Sequence, residues 1–411
     1  FFINCIVHKN NSSLFTLAAV YHIVVGKGTV DIINAKREQL KSKTGQDIDV
    51  KYILVRHDYD SDYREKFVYD FETILNDSDV NIVIEAIGGK HPAYEYIKSA
   101  LSAGKSVVTS NKELVAAYGA ELMAVAKEKN VNFMFEAAVG GAVPIIHGVR
   151  NCFEASEING IYGILNGTTN YILTKMIQEN LSFDVALKQA QELGYAEADP
   201  SGDVDGIDTC RKICILTDIV TKQRILPENV HTEGIRGIRK EDVAILAPLG
   251  YGIKLLGCYK KLTEGKISVI TAPFAVSNDC ILSSANDVFN RVLLDTDNVG
   301  QSAFYGRGAG SLPTGNAVVN DVAECVKAGG TIYDGWQEKD IKIINYNEIV
   351  YDFYVNIDGK EDISAHFADA EQVYSGTEKA YIVKSVTEKE LSDKLKGVKV
   401  NSYLRILEYK N

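Results

Sequence analysis

From Asp47 onward the chain alternates two kinds of apolar patterning. "IDVKYILVR", "VNIVIEAIGG" and "SVVTSNK" are short β-branched runs, and each reads as a strand buried on both faces. "REKFVYDFETILND", "HPAYEYIKSALSAGK" and "ELVAAYGAELMAVAKEKN" space their apolar residues as helices do. Strand and helix in alternation predict a parallel sheet covered on both faces, with ligands at the carboxyl ends of its strands. "TSNK" ends one such strand and puts Ser110, Asn111 and Lys112 on that edge. After "VNFMFEAAVGGAVPIIHGVR" the segments become longer and more apolar, compatible with an α+β domain that also carries an oligomer interface. A last change near Gly329 leads to strands "EIVYDFYVNI", "KAYIVKS" and "NSYLRILEY" around a helix "TEKELSDKLKG", whose Thr387 and Glu390 have capping-box spacing. These predict a small separate α+β module.

The length of 411 residues suits two or three domains. A net charge of -11 with no basic block argues against nucleic acid. Cys5, Cys152, Cys210, Cys214, Cys258, Cys280 and Cys325 are scattered without a CxxC or Cys/His cluster, which predicts neither a disulfide framework nor a zinc site and fits a cytoplasmic protein. The longest apolar run, Leu14 to Gly26, is broken by His22 and is shorter than the roughly 18 residues of a membrane span.

Chemistry concentrates between Glu192 and Leu216, where the acids Glu192, Glu197, Asp199, Asp203, Asp205, Asp208 and, just beyond, Asp218 crowd around Arg211 and Lys212. In "DGIDTCRKICILTDIV", Asp208 and Lys212 lie four apart and share a helix face. An ordinary surface ion pair is the plain reading. From Ile213 to Leu216, however, the helix is apolar all round, which signals burial and carries Lys212 into a core. A lysine sheltered beside a carboxylate is a candidate proton donor. Glu197, Asp199 and Asp203 precede this helix in a loop bounded by Gly194, Pro200 and Gly202. The helix dipole accounts for one or two carboxylates there, not for all. Their convergence on a lysine would suit a ligand with an ammonium group and an oxygen that needs a proton. "ILNGTTNYIL" reads equally as an N-cap or as a helix start that holds a carboxylate. "YGRGAGSLPTG" offers a glycine-rich backbone to an anion or cofactor, or is a flexible connector.

Taken together, "GYAEADPSGDVDGIDTCRK", "ILNGTTNYIL", "EAAVGGAVPII", "TSNKELVA" and "GAGSLPTGNAVVND" resemble the homoserine dehydrogenase family, in the family's order along the chain. The resemblance implies NAD(P)H-dependent reduction of L-aspartate 4-semialdehyde to L-homoserine, in the branch leading to threonine, methionine and isoleucine. It implies an α/β fold in which a Rossmann-like cofactor domain spans 1–135 with 305–330 packing back. A substrate-binding and dimerisation domain would span 136–304, and an ACT-like regulatory module 340–411. By carry-over Lys212 is the proton donor, Lys112 lies between substrate and cofactor, and Asp208 orients Lys212. Glu197, Asp203, Asp208, Gly167, Thr168 and Tyr195 would bind substrate, and Gly26, Arg56, Gly88, Ser110, Lys112 and Gly308 the cofactor. Main-chain oxygens of Glu136, Val139, Gly141 and Val143 would hold a sodium ion, as suits a hard cation. A homodimer is implied as well. Arg56, where an NAD site usually has an acid, suits the 2′-phosphate of NADP(H), with NAD(H) as the other option.

Four departures shape the expectation. Counting back from Gly26 puts Tyr21 and Ile23 where the family's GxGxxG turn has its first two glycines, which should obstruct a pyrophosphate. The preceding "FFINCIVHKNNSSLFTLAAVYHIV" bears no likeness to the family and reads as a foreign or mis-joined segment, of which Tyr21 to Val25 could still supply a strand. Arg307 stands where the family's glycine loop commonly has proline, which would loosen that loop or add a phosphate contact. The tail lacks the "DKPGVL" loop and part of its first helix, which argues against strong inhibition by threonine. The alternative is a catalytically weak or regulatory homologue with impaired cofactor binding. A thioester-forming semialdehyde dehydrogenase would need Cys210 or Cys214 as nucleophile, off the line from Asp208 to Lys212.

Overall fold

The computed structural model describes residues 14–21, 23–263, 265–333 and 335–408. Backbone contacts sort the chain into two units, Phe1–Leu114 with Glu121–Ala137 and Thr314–Asp334, and Val115–Ala120 with Ala138–Pro313 and Gly335–Asn411. Residues 1–13 and His22, part of the stretch read as foreign, lie outside the described residues.

In the first unit the strands are β1 (Leu14–Tyr21), β2 (Asp47–Leu54), β3 (Phe67–Val68), β4 (Val80–Ala86), β5 (Ser106–Thr109) and β6 (Phe133–Met134). The helices are α1 (Ile23–Ala35), α2 (Arg37–Thr44), α3 (Phe71–Leu75), α4 (Ala93–Ser102) and α5 (Lys112–Glu128). Every pairing is parallel and the order is β3-β2-β1-β4-β5-β6, the Rossmann arrangement whose ligand crevice opens where the winding reverses, between β1 and β4. Two expectations are corrected. The strand does not run from Tyr21 to Val25: Leu14–Tyr21 is the strand and helix begins at Ile23. Leu17, Ala18 and Ala19 are buried between β2 and β4, so a stretch unlike the family in sequence supplies the central strand. Nor is 64–77 one helix. Phe67 and Val68 pair with Ile53 and Leu54 at the sheet edge, and Asp70 then caps a new short helix by accepting from the Glu72 N–H at 3.0 Å.

The second unit begins with α6 (Ile145–Asn151), β7 (Ile158–Ile164), α7 (Gly167–Gln178), α8 (Phe183–Glu192), α9 (Ser201–Val204), α10 (Ile207–Thr221), β8 (Gln223–Arg224), β9 (His231–Thr232) and α11 (Lys240–Leu246). It continues through β10 (Tyr251–Thr263), β11 (Lys266–Ser277), β12 (Phe289–Thr296) and β13 (Gly300–Arg307). Helix α12 (Ser311–Ala328) returns to the first unit, where Ala317, Val318 and Val322 join Leu17, Val30 and Ile53 in its core. A Cβ on Gly315 would meet the backbone of Gly28 in α1 at 3.0 Å, so glycine permits that approach.

The tail adds β14 (Gln337–Asp340), β15 (Lys342–Ile343), β16 (Val350–Asp358), β17 (Glu371–Ser375), β18 (Glu378–Thr387), α13 (Glu388–Lys394) and β19 (Val400–Leu407). Its last strand pairs in parallel with β11, giving the continuous order β13-β12-β7-β10-β11-β19-β16-β18-β17. Helix α10 lies on this sheet, and a Cβ on Gly257 of β10 would sit 2.9 Å from Ile213. Ile213 through Ile219 are buried without exception.

One buried ion-pair group joins tail and sheet. Arg405 of β19, 1% exposed, donates to both oxygens of Glu233 at 2.8 and 3.2 Å and to Glu388. His231 lies 2.6 Å from Glu233 and stacks on Tyr346. Burial pushes the Glu233 carboxyl up, but His231 and Arg405 outweigh it and hold it at about 2. The folded value is below the unfolded one, so this stabilisation is complete above about pH 4.5 and is lost as pH falls toward 2. It is worth about 2 kcal/mol once screening of a side chain one-third exposed is discounted. Denaturant titrations of wild type and Glu233→Gln should therefore show a steeper loss of stability in wild type across that window; parallel curves would contradict it.

Candidate active site

Strand β7 delivers the chain through Leu165 to Asn166, the N-cap of α7. The Asn166 Oδ1 accepts from the Thr169 N–H at 2.8 Å, as an N-cap should. Its Nδ2 then donates to Asp203 at 2.7 Å and to Asp208 at 2.9 Å. Asp208 lies in the first turn of α10, where the helix dipole favours a carboxylate. Lys212, one turn on, donates from Nζ to the Asp208 Oδ2 at 2.7 Å and to the Leu165 carbonyl at 2.7 Å. Both side chains are less than a tenth exposed, so the ammonium is kept in the core by a carboxylate and a carbonyl dipole together.

Around this chain of hydrogen bonds, Thr168 donates to the Tyr195 carbonyl at 2.6 Å, and the Tyr195 ring meets Tyr171 edge-on. A Cβ on Gly167 would lie 2.9 Å from the Val288 carbonyl, so the helix start needs its glycine. Lys254, buried on β10, backs α7 by donating to Asn170 at 3.1 Å and to the Ala285 carbonyl at 2.6 Å, and burial pushes its amine down to about 8. Sequence reading missed Asn166 as a site residue. Its signal was present, because an asparagine N-cap uses its oxygen and leaves an NH2 to place.

The expected convergence of many carboxylates is corrected. Asp203 and Asp208 join the hydrogen-bonded cluster with Lys212. Asp205 instead pairs with Arg236 at 2.5 Å, Asp199 accepts from the Ser201 N–H at 3.1 Å, and Glu192 and Glu197 are exposed. Asp218 is buried near the far end of α10, where burial pushes its carboxyl well above the usual range while it accepts from the Ile225 N–H. Cys214 is wholly buried, with its thiol pushed well up, and Cys210 directs its Sγ toward the Pro227 carbonyl at 3.7 Å.

In the first unit the edge at β4 and β5 is organised by a residue that the sequence did not single out. Glu85, 1% exposed, accepts from the Ile87 and Gly88 N–H groups at 2.6 and 3.3 Å and from the Thr109 hydroxyl at 2.5 Å. Asn111 caps α5 through the Leu114 N–H at 3.1 Å and donates to the Gly89 carbonyl at 2.6 Å. Burial pushes the Glu85 carboxyl up despite these bonds. Gly88 and Gly89 have φ of +83° and +72°, and a Cβ on either would meet nothing within 4 Å, so this backbone is open to a ligand. Ser110 and Lys112 stand half-buried beside it, and Arg56 is exposed just past β2. Gly26 is one turn inside α1, not in the turn before it. The sheet order and this edge fit a dinucleotide. In sequence, Tyr21 and Ile23 stand where the first two glycines of a GxGxxG turn would lie.

Glu136 is buried, and its backbone N–H donates to Asp321 at 2.8 Å within the first unit. In the second, Val139 and Val143 are buried and flank a bend at Gly140 and Gly141, which have φ of +74° and +57°. A Cβ on Gly141 would sit 2.5 Å from the Gly308 carbonyl, and one on Gly308 would collide with the Asn290 side chain. Gly308, expected at the cofactor, thus lies in the second unit against this bend. Among the described residues no group of three or more His, Cys, Asp or Glu side chains could hold a metal ion, and no helix is long and apolar enough to cross a membrane.

Residues 24–136 match the family model "Homoserine dehydrogenase, NAD binding domain", and residues 144–323 match "Homoserine dehydrogenase". The homoserine dehydrogenase of Lactococcus lactis is 37% identical over 81% of this chain and 80% of its own. This chain belongs to the homoserine dehydrogenase family. Its function is the family's, the oxidoreductase step between L-aspartate 4-semialdehyde and L-homoserine in amino-acid biosynthesis. The crystal structure of a homoserine dehydrogenase from Thiobacillus denitrificans superposes with a TM-score of 0.88 at 31% identity, covering 96% of this chain and 98% of that one. A hyperthermophilic archaeal homoserine dehydrogenase in complex with NADPH has a TM-score of 0.64 at 28% identity and covers 76% of this chain and 97% of its own. Nothing in these likenesses favours a weak or regulatory homologue.

Proposed function

We propose that Lys212 is the proton donor of homoserine dehydrogenase catalysis in this chain. The observation that carries this is the hydrogen-bonded line from half-buried Asp203 through buried Asn166 and Asp208 to Lys212. Carbonyl reduction leaves an alkoxide that must be protonated, and an ammonium fixed by Asp208 and the Leu165 carbonyl supplies that proton while stabilising the charge as it develops. Asp203 would take the ammonium of the substrate, a carboxylate being its natural partner, with Glu197, Gly167, Thr168 and Tyr195 as further substrate contacts. The dinucleotide, when bound, supplies the hydride. Gly88, Ser110 and Lys112 at the β4 and β5 ends would hold it, with Gly26 closing the packing of α1 on the sheet and Lys112 at the reacting end. Arg56, exposed just past β2, suits the 2′-phosphate of NADPH. Turnover of the Lys212→Ala variant is the test.

Carbonyl oxygens of Glu136, Val139, Gly141 and Val143 would take a sodium ion, oxygen ligands being the kind a hard cation prefers. The tail's strand order β19-β16-β18-β17 is that of a ferredoxin-like unit, which supports an ACT-like reading with its first helix reduced. The assembly we propose is a cytoplasmic homodimer through the second unit.

Glu85 yields a separate expectation. Glu85→Ala removes the acceptor that ties Ile87, Gly88 and Thr109 together. Its Kd for NADPH should rise about tenfold, the worth of one to two lost hydrogen bonds, while the KM for homoserine stays as it was. Unchanged Kd in fluorescence titration would refute this.

A further inference from the structure

Asp203 sits in α9, whose backbone closes on itself through the Asp203 N–H to the Pro200 carbonyl at 2.9 Å and the Gly206 N–H to the Asp203 carbonyl at 3.0 Å. Segment 231–236 props it from outside. The Ile235 N–H donates to the Val204 carbonyl at 2.8 Å, and Arg236 pairs with Asp205 at 2.5 Å and reaches Ser201 at 3.2 Å. A Cβ on Gly234 would collide with the Val204 carbonyl, and one on Gly206, the residue that starts α10 at φ +83°, would meet the Glu233 carbonyl at 2.9 Å. The prop therefore lies in backbone contact with the residues between Asp203 and Asp208.

Its other side is anchored. The Glu233 N–H donates to the Thr271 carbonyl at 2.8 Å, next to the β9 pairing with β11. Its carboxylate receives the Arg405 guanidinium through both oxygens. Arg405 is itself gripped from the tail by Glu388, which also accepts from the Tyr403 hydroxyl at 3.0 Å. A planar fork meeting two oxygens fixes orientation as well as distance.

We infer that Arg405, on the tail's last strand, is a positioning residue for the substrate pocket, acting through Glu233 and segment 231–236 on Asp203 and the start of α10. Contact runs unbroken from β19 to the carboxylates beside Lys212, so the tail helps to set where those carboxylates stand. The inference rests on the reading of Asp203, Asp208 and Lys212 as the substrate site. It adds that the site's geometry depends on a residue far along the chain that touches no reactant.

The experiment measures homoserine oxidation and dinucleotide affinity in four full-length variants. Arg405→Met removes the fork, and Arg405→Met with Glu233→Gln removes both opposed charges, so that one survives if the other misfolds. Arg236→Ala weakens the same prop from the surface, where folding is not at stake. Arg405→Lys restores the charge without the fork. In folded protein we expect KM for homoserine to rise about tenfold in the Arg405→Met forms and severalfold in Arg236→Ala, with partial recovery in Arg405→Lys and Kd for NADPH within twofold of wild type. A merely structural loss would lower the active fraction and leave KM alone. Wild-type KM in the folded Arg405→Met forms, or in Arg236→Ala if neither of those folds, overturns the inference. Failure of the site reading would show elsewhere, as retained turnover in Lys212→Ala.

Discussion

Lys212→Ala should lose about a thousandfold in kcat in both directions, within the range that removal of a positioned acid or base costs, while Kd for NADPH stays unchanged. The size follows from the surroundings. Asp203 and Asp208 act as acceptors, and the Asn166 NH2 is committed to both of them, so none of these groups replaces the Lys212 proton. Alanine also strands Asp208 without its cation, so a fall in stability accompanies the loss. Lys212→Arg separates the two effects. Arginine keeps the charge against Asp208 and restores stability, yet it holds its proton too tightly to transfer it. A folded and inactive Lys212→Arg enzyme is the expected result. Near-normal turnover in either variant would remove the catalytic assignment.

How much of this was legible in the chain depends on the range of the interaction involved. The i,i+4 pairing of Asp208 with Lys212 and the burial of α10 are local and periodic, so they could be read directly. The carboxylate cluster was overread because nearness in sequence is not nearness in space. Asp218 is ten residues beyond Asp208 on one helix, roughly 15 Å away at 1.5 Å per residue, and Asp205 turns outward to Arg236. The 64–77 stretch has helical spacing, but the edge of a sheet formed elsewhere captures Phe67 and Val68. The apolar run from Leu14 is too uniform to mark where strand gives way to helix. Glu85 left a faint signal, a single acid in a β-branched run ending in glycines, whose meaning appears only once β5 lies beside β4. The pairing of β19 with β11 joins residues more than a hundred apart, and no local pattern reports it.

Asn166→Ala should be the next most damaging change, and its pairing with Asn166→Asp shows why. The side chain does two jobs: Oδ1 caps α7 at the Thr169 N–H, and Nδ2 holds Asp203 and Asp208 together. Alanine loses both. It should cost about 1 kcal/mol of stability for the cap and about a hundredfold in kcat/KM for the displaced carboxylates. Aspartate keeps an oxygen for the cap, so much of the stability returns. It has no NH2 to give, and it sets a third carboxylate against two others, so activity should fall at least as far as in the alanine variant. If the cap alone mattered, the two variants would part company in activity and Asn166→Asp would work. Steady-state rates beside thermal melts decide this, and an active Asn166→Asp enzyme would reduce Asn166 to a helix cap and leave Asp203 without its link to Lys212.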